Sequence, residues 1–65
     1  MSDAFARVQE IRGLLSESLT ARGVDQWLRA PNRLLGGDRP VELLKVGKVD
    51  KVRRAAAAFA DGSYV

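Results

Sequence analysis

Apolar positions along the chain recur at helical intervals. Phe5, Val8, Ile11, Leu15 and Leu19 are three or four residues apart, the spacing of one face of a 3.6-residue repeat. This predicts an amphipathic helix from residue 4 to about 20. Ser2 or Asp3 would cap its start. Gly13 sits inside it, and Gly23 would close it in the left-handed conformation near Arg22. A short helical turn follows from Val24 to Ala30, and Pro31 disfavours helix at Ala30. Asn32–Gly37 reads as a turn-rich loop holding Leu34 and Leu35. A third helix is expected over residues 39–46, with Pro40 at its first position, Asp38 as the cap and Gly47 as its end. Val49, Val52, Ala56 and Phe59 then mark a fourth helix over 48–61, closed by Gly62 and followed by Ser63-Tyr64-Val65. No strand alternation of useful length, internal repeat or low-complexity linker interrupts this pattern. The expected fold is all-α: a compact bundle of three to four short helices, with residues 1–65 as a single domain.

Composition narrows what such a bundle can do. The 65 residues include no Cys and no His. Disulfides, the usual zinc and transition-metal sites, and Ser–His or Cys–His catalysis are therefore excluded. The remaining carboxylate pair of note, Asp38 and Glu42, lies near a helix start, where acids more often compensate the helix dipole than catalyse. No catalytic, cofactor-binding or metal-binding residue is assigned, and the composition argues against an enzyme. A core below roughly 70–80 residues rarely supplies more than about 3–5 kcal/mol. With no staple available, a partner surface becomes the natural stabiliser. No stretch approaches the ~20 apolar residues of a membrane span and no targeting signal is evident, so the expected location is cytoplasmic.

The centre of the chain carries a fixed-spacing pattern: Trp27-Leu28, Pro31-Asn32, Leu35-Gly36-Gly37, Pro40, Leu43-Leu44. Physically it reads as a turn builder. Trp27 and Leu28 bury apolar area, Asn32 bonds its own backbone, the two glycines reverse the chain and Pro40 starts the next helix. The pattern resembles W-L-x-x-P-N-x-x-L-G-G-x-x-P-x-x-L-L of the C-terminal toxin-binding domain in Xre/MbcA/ParS-type antitoxins. Every named position is present. Two departures stand out. Only 26 residues precede Trp27, too few for the helix-turn-helix domain such antitoxins usually carry plus the first helix, so the expectation is either a stand-alone toxin-binding domain or a DNA-binding function that lies elsewhere. Arg39 also stands where a Thr or Ser cap is common before Pro40.

The resemblance implies an antitoxin module of a type II toxin-antitoxin system that neutralises a RES-domain, NAD-degrading toxin. It further implies that the end of the chain, here Asp61, Gly62, Ser63, Tyr64 and Val65, reaches the toxin's active-site cleft and blocks it.

Charge adds one more candidate surface. The net charge is +3, and residues 1–22 hold equal numbers of acids and bases, so the excess lies in residues 23–65. Lys45, Lys48, Lys51, Arg53 and Arg54 stand against Asp50 alone. Lys48, Lys51 and Arg54 recur every three residues, a basic stripe able to hold an acidic partner or phosphates. The plainer reading of that stripe is a solvated helix face. No aromatic residue interleaves with the bases, so direct nucleic-acid binding is disfavoured, though a small nucleic-acid-binding regulator remains the alternative. The alanine run Ala55–Ala58 would let a second copy approach closely, so a homodimer is also open.

Overall fold

Four α-helices and one 3-10 turn account for most of the computed structural model, which describes residues 3–61. Helix α1 spans Asp3–Leu15, α2 Ala21–Arg29, α3 Pro40–Lys45 and α4 Val49–Ala60, and the 3-10 turn Arg33–Leu35 lies between α2 and α3. No strand occurs among the described residues. The all-α bundle expected from the sequence is the observed fold.

One core joins these elements. Ile11 and Leu15 of α1, Val24 and Leu28 of α2, Leu35 of the turn, Leu43 and Leu44 of α3, and Val52, Ala55 and Ala56 of α4 are all buried. The longest contact runs between α1 and α4. Ala55 and Ala56 are buried on α4, where small side chains let neighbouring elements approach. Trp27 of α2 and Phe59 of α4 pack at the margin, their ring centroids 6.5 Å apart and tilted by 56°, within the favourable range for an aromatic pair.

The first helix is shorter than its apolar repeat predicts. It ends at Leu15, and α2 begins at Ala21, three residues before the predicted start. Thr20 is the cap that separates them: its hydroxyl oxygen accepts the Gly23 backbone N–H at 3.2 Å. Gly23 therefore lies inside α2 rather than closing α1. A Cβ on Gly23 would come within 3.3 Å of the Leu19 Cβ, so the glycine lets Leu19 pack closely.

Phe5, predicted on the buried face of α1, is instead 67% exposed. At α3 the cap forms without Asp38: Arg39 occupies the cap position, no side chain bonds the helix start, and the Pro40 ring is buried. Gly47 does end α3, at a φ of +85°. The Leu44 carbonyl there accepts both the Gly47 N–H at 3.2 Å and Arg7 Nη1 at 3.1 Å. The predicted cap Ser2 lies outside the described residues.

Gly13 has no such role. Its φ is not positive, and a Cβ there would meet nothing within 4 Å. Replacing Gly13 by Ala removes backbone freedom from the unfolded chain without strain. Thermal or urea unfolding of Gly13→Ala is expected to show a gain of about 0.5–1 kcal/mol.

Candidate functional site

The pattern residues converge on Asn32, which organises the turn between α2 and α3. Its backbone N–H donates to the Asp38 carbonyl at 3.0 Å, and its carbonyl accepts the N–H of Leu35 at 3.0 Å and of Gly37 at 2.8 Å. Its side-chain oxygen Oδ1 accepts the Leu34 N–H at 2.9 Å. These four bonds close residues 32–38 into a compact loop around one buried side chain. Gly36 and Gly37 take φ values of +67° and +91°. A Cβ on either meets no neighbour within 4 Å, so glycine is required there by backbone conformation and not by space. Of the pattern, Leu28, Asn32, Leu35, Pro40, Leu43 and Leu44 are buried, Trp27 is half-buried, and Pro31, Gly36 and Gly37 are exposed.

The loop displays Leu34, which is 47% exposed. Leu34, Leu35 and Gly36 form one wall of a groove of about 400 Å³; Lys51, Arg54, Ala55 and Ala58 of α4 form the other. The α4 residues are spaced three, one and three apart, a single stripe of that helix. The structure thus brings two of the expected contact residues, Lys51 and Arg54, against the product of the Trp27–Leu44 pattern. Lys48 is not among them. It is the non-helical residue before α4 and lies outside the groove lining. Asp61 is exposed at the end of α4. Gly62, Ser63, Tyr64 and Val65 lie outside the described residues. Leu34, Ala55 and Ala58 were not singled out as site residues from sequence. The available signal was the Leu34-Leu35 pair inside a tight turn, where one leucine faces the core and the other is displayed.

The basic block divides once its partners are known. Arg53 faces α1, its Nε and Nη2 donating to the two Glu10 carboxylate oxygens at 2.5 and 3.1 Å, and its Nη1 donating to Asp50 at 2.7 Å. Lys45 pairs with Glu42 at 3.6 Å, and Arg12 of α1 pairs with Asp25 of α2. Lys51 and Arg54 pair with no carboxylate among the described residues. The hydrogen bond from Arg53 holds the Glu10 carboxyl below its ordinary value of 4.5; loss of hydration opposes this, and the Arg53 charge adds to it. A carboxyl whose folded pKa is depressed supports the fold above its unfolded pKa and loses that support as pH falls through the folded value. Carbon-13 NMR titration is expected to place the Glu10 midpoint below the ordinary carboxylate range, and Arg53→Gln is expected to return it there.

Among the described residues no group of three acidic side chains could hold a metal ion. No helix among them is long and apolar enough to cross a membrane.

The central turn of this helical bundle thus displays Leu34 beside Lys51 and Arg54. The family model of the antitoxin Xre/MbcA/ParS C-terminal toxin-binding domain matches residues 19–62, and the chain belongs to that family. It is 54% identical over 63 residues to the probable mycobacterial cidal antitoxin Rv3188 of Mycobacterium tuberculosis, an alignment that takes in 97% of this chain. The chain spans about half (55%) of the length of that relative. No solved structure matches it significantly.

Proposed function

We propose that the chain is the toxin-contacting module of an antitoxin and neutralises a RES-domain, NAD-degrading toxin by occluding its active site. The observation that carries this reading is the groove: the family's turn and Lys51 and Arg54, which pair with no carboxylate among the described residues, form one surface. A family defined as toxin-binding domains, and a relative named as a cidal antitoxin, agree with it. The module acts by binding, with no chemistry of its own. Asp61 is exposed at the end of α4, and Gly62–Val65, which lie outside the described residues, serve as the plug in this reading. The partner and the chain meet in the cytoplasm.

Nucleic acid fits less well. Arg53 and Lys45 are already bound by acids, and beside Lys51 and Arg54 the groove offers Leu34, Ala55 and Ala58, apolar surface that phosphates do not use. A second copy of the chain remains compatible with toxin binding.

The test is co-expression with a RES-domain protein of the native host. The chain is expected to relieve growth arrest and NAD depletion and to co-purify with that protein. Removing residues 63–65 is expected to restore NAD loss while co-purification persists. Inhibition unchanged by the truncation would refute the plug, and absence of any complex would refute the pairing.

A further inference from the structure

Several cations pair with no carboxylate among the described residues, and two of them, Lys51 and Arg54, line an apolar groove. A second groove, between α1 and α3, is lined by Phe5, Val8, Val41 and Leu44 with Arg12 and Lys45 at its edge. Both of those cations already bind carboxylates, Arg12 to Asp25 and Lys45 to Glu42. On α4, Arg53 is bound by Glu10 and Asp50. At the groove between the 3-10 turn and α4, Lys51 and Arg54 have no such partner among the described residues, and both stand beside Leu34, Ala55 and Ala58. A partner surface complementary to that groove needs an apolar group for its floor and negative charge for its edge.

The pattern residues supply a second argument. Asn32 and Leu35 on either side of residues 33 and 34 are buried, whereas Leu34 is exposed. Asn32 and Leu35 hold the turn; Leu34 is what the turn presents. Its backbone N–H is fixed by Asn32 Oδ1, so Leu34 is held in place before any partner arrives, which lowers the ordering cost of binding.

We propose that this groove docks a segment of the protein partner that carries an aliphatic side chain beside one or more carboxylates. Leu34, Ala55 and Ala58 receive the aliphatic group, and Lys51 and Arg54 bind the carboxylates. From Lys51 to Ala58 the stripe extends about 10 Å, room for roughly two turns of helix in the docked segment. Leu34, Lys51 and Arg54 are thus the residues that meet the docked segment, on a scaffold held by the buried Asn32 and Leu35. The proposal rests on the reading above for its premise that the partner is a protein. It does not depend on that protein degrading NAD.

The experiment places a benzophenone photo-cross-linking side chain at position 34 of the full chain, expressed in the native host. A control carries it at position 9, in the second groove. Cross-linked peptides are sequenced by mass spectrometry. The expected result is an adduct from position 34 alone, to a peptide with Asp or Glu within four residues of Leu, Ile, Val or Met. Introducing Lys51→Glu and Arg54→Glu together is expected to lower adduct yield more than tenfold while circular dichroism stays helical. Three results each overturn the proposal: adducts of equal yield from position 9, a position-34 adduct to nucleic acid or to a peptide without acids, or no position-34 adduct. If the captured acidic segment belongs to a protein without NAD-degrading activity, the groove assignment stands and the toxin assignment falls.

Discussion

Leu44→Ala is expected to leave the chain largely unfolded at 25 °C. Leu44 is fully buried where α1, α3 and α4 meet. Deleting its isobutyl group removes buried apolar area and leaves a cavity, a change that costs about 2–5 kcal/mol in well-packed cores. A core of this size supplies only about 3–5 kcal/mol in total. The two ranges overlap, so the substitution removes most or all of the folding free energy. The same truncation at Val46, which is 68% exposed, is expected to change stability by less than about 0.5 kcal/mol. Urea unfolding followed by circular dichroism separates these cases. A cooperative transition in Leu44→Ala within 1 kcal/mol of the parent would show that the core is not organised around α3 as described.

Asn32→Ala is expected to be the most damaging change to the hydrogen bonding of the loop, at about 1–2 kcal/mol. It removes the acceptor for the Leu34 N–H, a capping loss of about 0.5–2 kcal/mol. It also leaves that half-buried donor without its partner, which adds to the penalty. The three backbone bonds at residue 32 survive the substitution, and for that reason the loss stays below that of Leu44→Ala. Asn32→Ser retains a shorter acceptor and is expected to lose less. Beyond stability, amide exchange at Leu34 is expected to accelerate in Asn32→Ala, because the turn no longer holds that N–H. Unchanged exchange at Leu34 would mean that the side chain of Asn32 does not organise the loop.

What sequence revealed and what it hid follow from the range of the interactions involved. The turn was legible because its causes are local. Asn32 bonds two residues onward, Gly36, Gly37 and Gly47 carry the positive φ values, and Pro40 opens α3. The break between α1 and α2 was not legible from periodicity. Leu19 continues the Ile11–Leu15 spacing and packs on the core even though it lies in the linker. Its N–H still bonds the Leu15 carbonyl at 2.9 Å, a helical contact without a helix. Thr20, one residue before α2, was the overlooked local signal. The site was half legible. Lys51 and Arg54 stood out as part of a basic stripe, but counting charges along the chain could not show that Arg53 belongs to Glu10, 43 residues away. Nor could periodicity choose which of Leu34 and Leu35 is displayed, since that depends on where α4 passes.

The most direct test of the account is calorimetric binding of the chain to a RES-domain toxin of its host, at about 0.15 M salt, with and without Lys51→Glu and Arg54→Glu. Removing one partner of a buried, hydrogen-bonded charge pair at an interface costs about 2–5 kcal/mol, and 1.4 kcal/mol is a tenfold change. The account predicts specific binding by the parent chain and a loss of at least about a hundredfold in the double variant, with helix content preserved. Equal affinity of the two chains would contradict it.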